Sequence, residues 1–169
     1  MWRELLDVLK SGDPLQAMAD EFLAMLAVCN EMAGIVRPHV FSYDLPMDQR
    51  SKVYKLDIRV NKGERRIRKR IATHLSLGGD QVSYCLTLMS LVKDAERVGD
   101  YIKNISEIGE LGGQPVPESE HLTELADLVD LAYAMLKEAP ALIQEQDTER
   151  AVELLSEGRN AGKRCDRLL

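Results

Sequence analysis

A chain of 169 residues can form one domain, or a domain and part of a second. Its 45% hydrophobic content can build a core and its 30% charged residues suit a helical surface. Only 5% of residues are aromatic. Leu, Ala, Met, Glu, Lys and Arg are good helix formers and strand-type runs are missing, so the chain reads as all-α. The net charge of −6 is uneven. Residues 1–110 carry 16 basic and 16 acidic side chains and residues 111–169 carry 6 and 12, so the whole deficit lies in the last third. Nothing in this balance favours nucleic acid as a global partner.

The segment MWRELLDVLKSGD is amphipathic with charges of both signs, unlike a signal peptide, and residues 2–10 read as a short helix. No apolar run approaches the roughly 20 residues of a membrane span. The expectation is a cytoplasmic protein, at most at the inner face of the membrane. Asp13-Pro14 and Gln16 read as an N-cap, a first-turn proline and a capping-box partner. A helix should run from there to about Val40, with Phe22, Met25, Leu26, Cys29, Met32, Ala33 and Val36 as its core stripe. Asp44-Leu-Pro46 opens a second helix, 46–76, with Val53, Leu56, Val60, Ile67, Ile71 and Leu75 inward and Gly78-Gly79 at its end. Asp80 is placed to cap a third, 81–110, with Val82, Leu86, Met89, Val92, Val98, Ile102 and Ile105 inward.

Leu111-Gly-Gly-Gln-Pro-Val-Pro117 is the clearest break. It divides the chain into a three-helix unit, 1–112, and an acidic remainder, 113–169. The remainder offers helices over 118–145, kinked at Pro140, and 148–168, parted near Gln146-Asp147. An offset of 99 residues places Val152 on Val53, Leu155 on Leu56 and Asn160 on Asn61, so the second unit reads as two helices of an incomplete repeat. Under that alignment Ser156 replaces Asp57 and Lys163 replaces Glu64. Cys29, Cys85 and Cys165 are too scattered for a disulfide framework or zinc finger and read as buried thiols.

Two acidic sets carry the chemistry. Asp57, Asn61 and Glu64 share one side of the second helix, bordering its apolar line. On the third helix, Glu96 falls in line with Met89 and Val92, with Asp100 one turn on. A carboxylate in an apolar line is desolvated, which is unfavourable unless it is paired, protonated or bound to a cation. Carboxylate and amide oxygens suit iron, manganese, magnesium or calcium, with zinc tolerated. Salt bridges to Arg65, Arg68 and Arg97 are the alternative. Gly99 removes a side chain where helices or a ligand need to approach closely. Di-iron chemistry of the ferritin type needs two Glu-x-x-His motifs, and only Glu118-Ser-Glu-His121 is present. His39, His74 and His121 read as surface or helix-end residues. Six basic residues fall between Lys62 and Arg70, with Lys62, Arg66 and Lys69 on one outer face. That face is either simply solvated or a docking patch for an acidic protein, phosphate or anionic lipid.

Asp57-Ile-Arg-Val-Asn-Lys-Gly-Glu64 and Asp94-Ala-Glu-Arg-Val-Gly-Asp-Tyr-Ile-Lys-Asn104 resemble the PhoU family of helical regulators of bacterial phosphate uptake. Glu-Arg-hydrophobic-Gly-Asp is the more specific motif, and the resemblance covers one three-helix repeat over about 14–110. It implies an antiparallel helical bundle that binds an iron- or zinc-type metal ion or cluster through Asp57, Asn61, Glu96 and Asp100, with Glu64 adjacent. It also implies a non-enzymatic role in phosphate transport and signalling, through contacts with a phosphate transporter or sensor kinase. A homo-oligomer is compatible with this. The stretch VNKGERRIRKRIATHL is similar as well to PhoU-like soluble tails of sodium/phosphate cotransporters, which leaves a regulatory domain of such a transporter as the alternative. A carboxylate-bridged metalloenzyme is the third reading, and it has no convincing base or nucleophile. The chain departs from the family in lacking a final helix and its second signature. Asn61 also stands where a carboxylate is more typical, and GGDQVSYCL lacks the usual Pro and Arg.

Overall fold

A computed structural model describes residues 14–168, and the expected helix over 2–10 and the Asp13 cap lie outside them. Five α-helices follow in chain order: α1 (Pro14–Val36), α2 (Met47–Ser76), α3 (Val82–Glu107), α4 (Glu120–Glu145) and α5 (Thr148–Asp166). No strand occurs among the described residues. The all-α reading holds.

The core is the shared interior of α1, α2 and α3, and every apolar position expected on α1 and α2 lies in it or packs against it. Met32, Val53, Ile67 and Ile71 are fully enclosed. α1 is shorter than expected. It stops at Val36, and a 3₁₀ turn over Arg37–His39 replaces its last residues, because Pro38 lacks the N–H an α-turn requires. Gly78, at φ +80°, closes α2 in the left-handed conformation that glycine tolerates.

The start of α3 corrects two further expectations. Asp80 makes no cap. The N-cap position is Gln81, itself left-handed, with no side-chain hydrogen bond to the helix. Val82 and Leu86 are more than half exposed, while Cys85 and Leu88 take the inward positions. The packing face of α3 runs Cys85, Leu88, Val92, Ala95, Gly99 and Ile102. Small residues let the helices approach along that face, and reading apolarity alone passed over them. Cys165 is exposed rather than buried.

α4 and α5 form a hairpin, divided at the left-handed Gln146, with Ser119 and Asp147 capping their starts. The only buried residue of α4 is Leu128, and α5 has none. The hairpin packs on α1 through α4. The contacts include Arg37, which pairs with Asp130 at 2.6 Å and lies 5.7 Å from the Tyr133 ring centre. α4 also runs unbroken through Pro140. A proline at 140 removes the N–H that would bond the carbonyl of Leu136. Asn30 of α1 supplies the missing donor, its Nδ2 reaching Leu136 O at 3.1 Å. The proline's defect thereby becomes an attachment point between the bundle and the hairpin.

Asn30→Ala strands that carbonyl and is expected to destabilise the protein by about 1–3 kcal/mol in chemical denaturation. In Pro140→Ala, where an intrahelical donor returns, the same change should cost much less. A double-mutant cycle with no coupling would refute the exchange.

Candidate functional site

α2 and α3 run antiparallel and touch at Gly99. A Cβ built there would sit 3.3 Å from Cγ1 of Val60, so the glycine sets how closely the two helices approach. This contact carries the edges of both helices with it. Asp57, three residues before Val60 on α2, comes to face Glu96 and Asp100 of α3, with Asn61, the residue after Val60, beside it.

Asp57 is the centre of this arrangement. Its Oδ2 accepts a hydrogen bond from Asn61 Nδ2 at 3.2 Å. Its Oδ1 is buried and has no hydrogen-bond partner. Burial holds the carboxyl above the ordinary aspartate range. The Lys103 ammonium opposes that shift, while the negative fields of Asp100 and Glu96 add to it. Beneath lies Cys29, fully enclosed, with Sγ 3.5 Å from the carbonyl of Ala95. Its thiol is pushed up to about 11, first by burial and then by Asp57, which makes it an inert core group at neutral pH.

Glu96 and Glu64 are held by basic neighbours on their own helices. Glu96, 8% exposed, accepts from Lys93 Nζ at 2.5 Å. Glu64 accepts from Arg68 at 2.9 Å, one of the salt bridges the sequence offered. Arg97 pairs instead with Asp94, at 3.6 Å. Asp100 opens on a shallow depression lined by Arg97, Tyr101, Lys103 and Asn104. Thus Asp57, Asn61, Glu96 and Asp100 come near one another where α2 meets α3, and Glu64 lies about a turn further along α2. As the side chains stand, no group of three or more His, Cys, Asp or Glu among the described residues is disposed to hold a metal ion.

Do these residues fit a cation at all? The donor set is oxygen from three carboxylates and one amide, which suits a hard ion. The bare Oδ1 of Asp57 is an acceptor in want of a positive partner. Coordination would also require Glu96 to exchange Lys93 for the ion. Sequence reasoning passed over Lys93 and Lys103. Lys93 was legible as a neighbour of Glu96 at a spacing of three. The nearness of Lys103 to Asp57 depends on the packing of two helices.

The fold and its site define a class, a helical bundle with carboxylates gathered where two antiparallel helices meet. The sequence model described as the PhoU domain matches residues 22–109, just over half of the chain. The chain belongs to the PhoU family, whose character is regulatory and linked to phosphate transport. No curated protein and no solved structure matches it.

An acid whose pKa is raised by folding binds its proton more tightly in the native state. Its contribution to stability is therefore full at low pH and is lost as pH rises through the native pKa. In the presence of chelator, Asp57→Asn is expected to melt higher than the unsubstituted protein at pH 7, with the gap closing toward pH 4. No gain at pH 7 would mean that Lys103 outweighs the burial.

Proposed function

We propose that the protein is a non-enzymatic, metal-responsive regulator or accessory protein of phosphate transport and phosphate signalling. On this reading it acts by contact with a phosphate transporter or a sensor kinase, and 1–112 and 113–169 are its two units. The observation that carries the metal part is the buried, unpartnered Oδ1 of Asp57 beside Glu96 and Asp100. Family membership supports the regulatory part.

Asp57, Asn61, Glu96 and Asp100 would hold the ion, an iron- or zinc-type transition metal, with Glu64 adjacent. When bound, it would cancel the clustered negative charge and tie α2 to α3. The chain's own residues do the rest. Gly99 permits the approach of the helices, and Asn61 orients one oxygen of Asp57. Lys93 and Lys103 supply positive charge when no cation does. No described helix is long and apolar enough to cross a membrane.

Elemental analysis of protein purified without chelator tests the metal part. We expect bound transition metal, and its loss from the Glu96→Ala/Asp100→Ala double variant. A metal-free protein whose melting is unmoved by iron, manganese or zinc would remove the site and leave the family assignment standing.

A further inference from the structure

α2 divides into three lengthwise sectors. One faces the core and one carries the acidic site. The third holds Lys52, Lys55, Arg59, Lys62, Arg66 and Lys69 at alternating spacings of three and four, which keeps them in a single line. All six are exposed, and the line spans roughly 25 Å. It lies along α1, whose exposed side offers mostly short residues, Ala24, Ala27 and Gly34, so the long cationic side chains stand clear. Two carboxylates of α1 answer three of the six cations. Glu31 pairs with Lys52 at 2.8 Å and lies 4.0 Å from Arg59. Glu21 pairs with Arg66 and, at 3.3 Å, with Arg70. Lys55 and Lys62 form no ion pair with any described residue.

We propose that this ridge is a docking surface for an anionic membrane, recognising the phosphates of lipid headgroups. Its form selects among anionic partners. Protein interfaces depend on a few apolar or aromatic anchors set in pockets; the line of six contains none, and Ile58, an exposed apolar side chain, stands at its border. A hollow of about 200 Å³ lies beside it, between Glu21, Met25, Gly63 and Arg66. Single-stranded nucleic acid would call for stacking aromatics, and none stands in the line. What remains is regularly spaced charge on a straight, rigid helix, which a plane of equivalent phosphates satisfies without shape matching. The acidic hairpin packs on the bundle through α1, away from the ridge. The molecule is therefore polarised, so the ridge can meet a negative surface despite the overall charge of −6. The inference is independent of the acidic site.

The test is sedimentation of the full chain with vesicles of phosphatidylcholine containing about 30% phosphatidylglycerol, against pure phosphatidylcholine. The expected result is binding only to the anionic vesicles, lost between about 50 and about 300 mM salt as screening shortens. Lys55→Glu/Lys62→Glu should weaken binding at least about tenfold. Lys137→Glu/Arg159→Glu, the same charge change on exposed hairpin positions, should leave it intact. Circular dichroism confirms that both variants are folded. Three results would overturn the proposal: no preference for anionic vesicles, equal losses in the two variants, or ridge-dependent binding to polyglutamate or single-stranded DNA with none to vesicles.

Discussion

The contact between Gly99 and Val60 governs the molecule's chemistry. An added Cβ at Gly99 would meet the Val60 side chain at 3.3 Å, closer than side chains ordinarily pack, so a larger residue there would press α2 and α3 apart. Asp57 lies three residues from Val60, and Glu96 and Asp100 flank Gly99. The approach that completes the core therefore also brings like charges together at its edge. Neither helix can turn its carboxylates away without withdrawing Ile67 or Val92 from the interior.

That conflict is only partly relieved. Lys93 answers Glu96, Arg68 answers Glu64 and Lys103 lies near Asp57, yet one oxygen of Asp57 has no partner. Exposed ion pairs contribute little to stability, so the numerous surface bridges of this chain do not offset a desolvated carboxylate elsewhere. A site where burial and like charge oppose each other is a candidate functional site. On the reading proposed above, a cation bound there would alter helix packing.

The hairpin obeys different rules. Val152 and Leu155 remain about 60% exposed, and α4 meets the bundle through a mixture of apolar groove and single polar bonds. Segments with few buried contacts open at lower free energy than the global fold. The bundle is thus the rigid half of the protein, and the hairpin is the part whose attachment is easiest to alter. Val129, Tyr133 and Leu136 pack it against the core, and Asn30 of α1 and Arg37 of the following 3₁₀ turn add polar bonds.

The periodicity of apolar residues was sufficient to identify the helices, their order, the break after Leu111 and the core faces of α1 and α2, because burial in a bundle repeats every three to four residues. It failed at the start of α3, where the choice between Leu86 and Cys85 depends on which helix lies opposite. The five candidate ligands were legible from spacing along each helix. Their convergence, the bare oxygen of Asp57, the counter-charge from Lys103 and the borrowed donor at Leu136 were not. Each of these involves atoms on two helices, and their meeting depends on interhelical distance and rotation, which only tertiary packing decides.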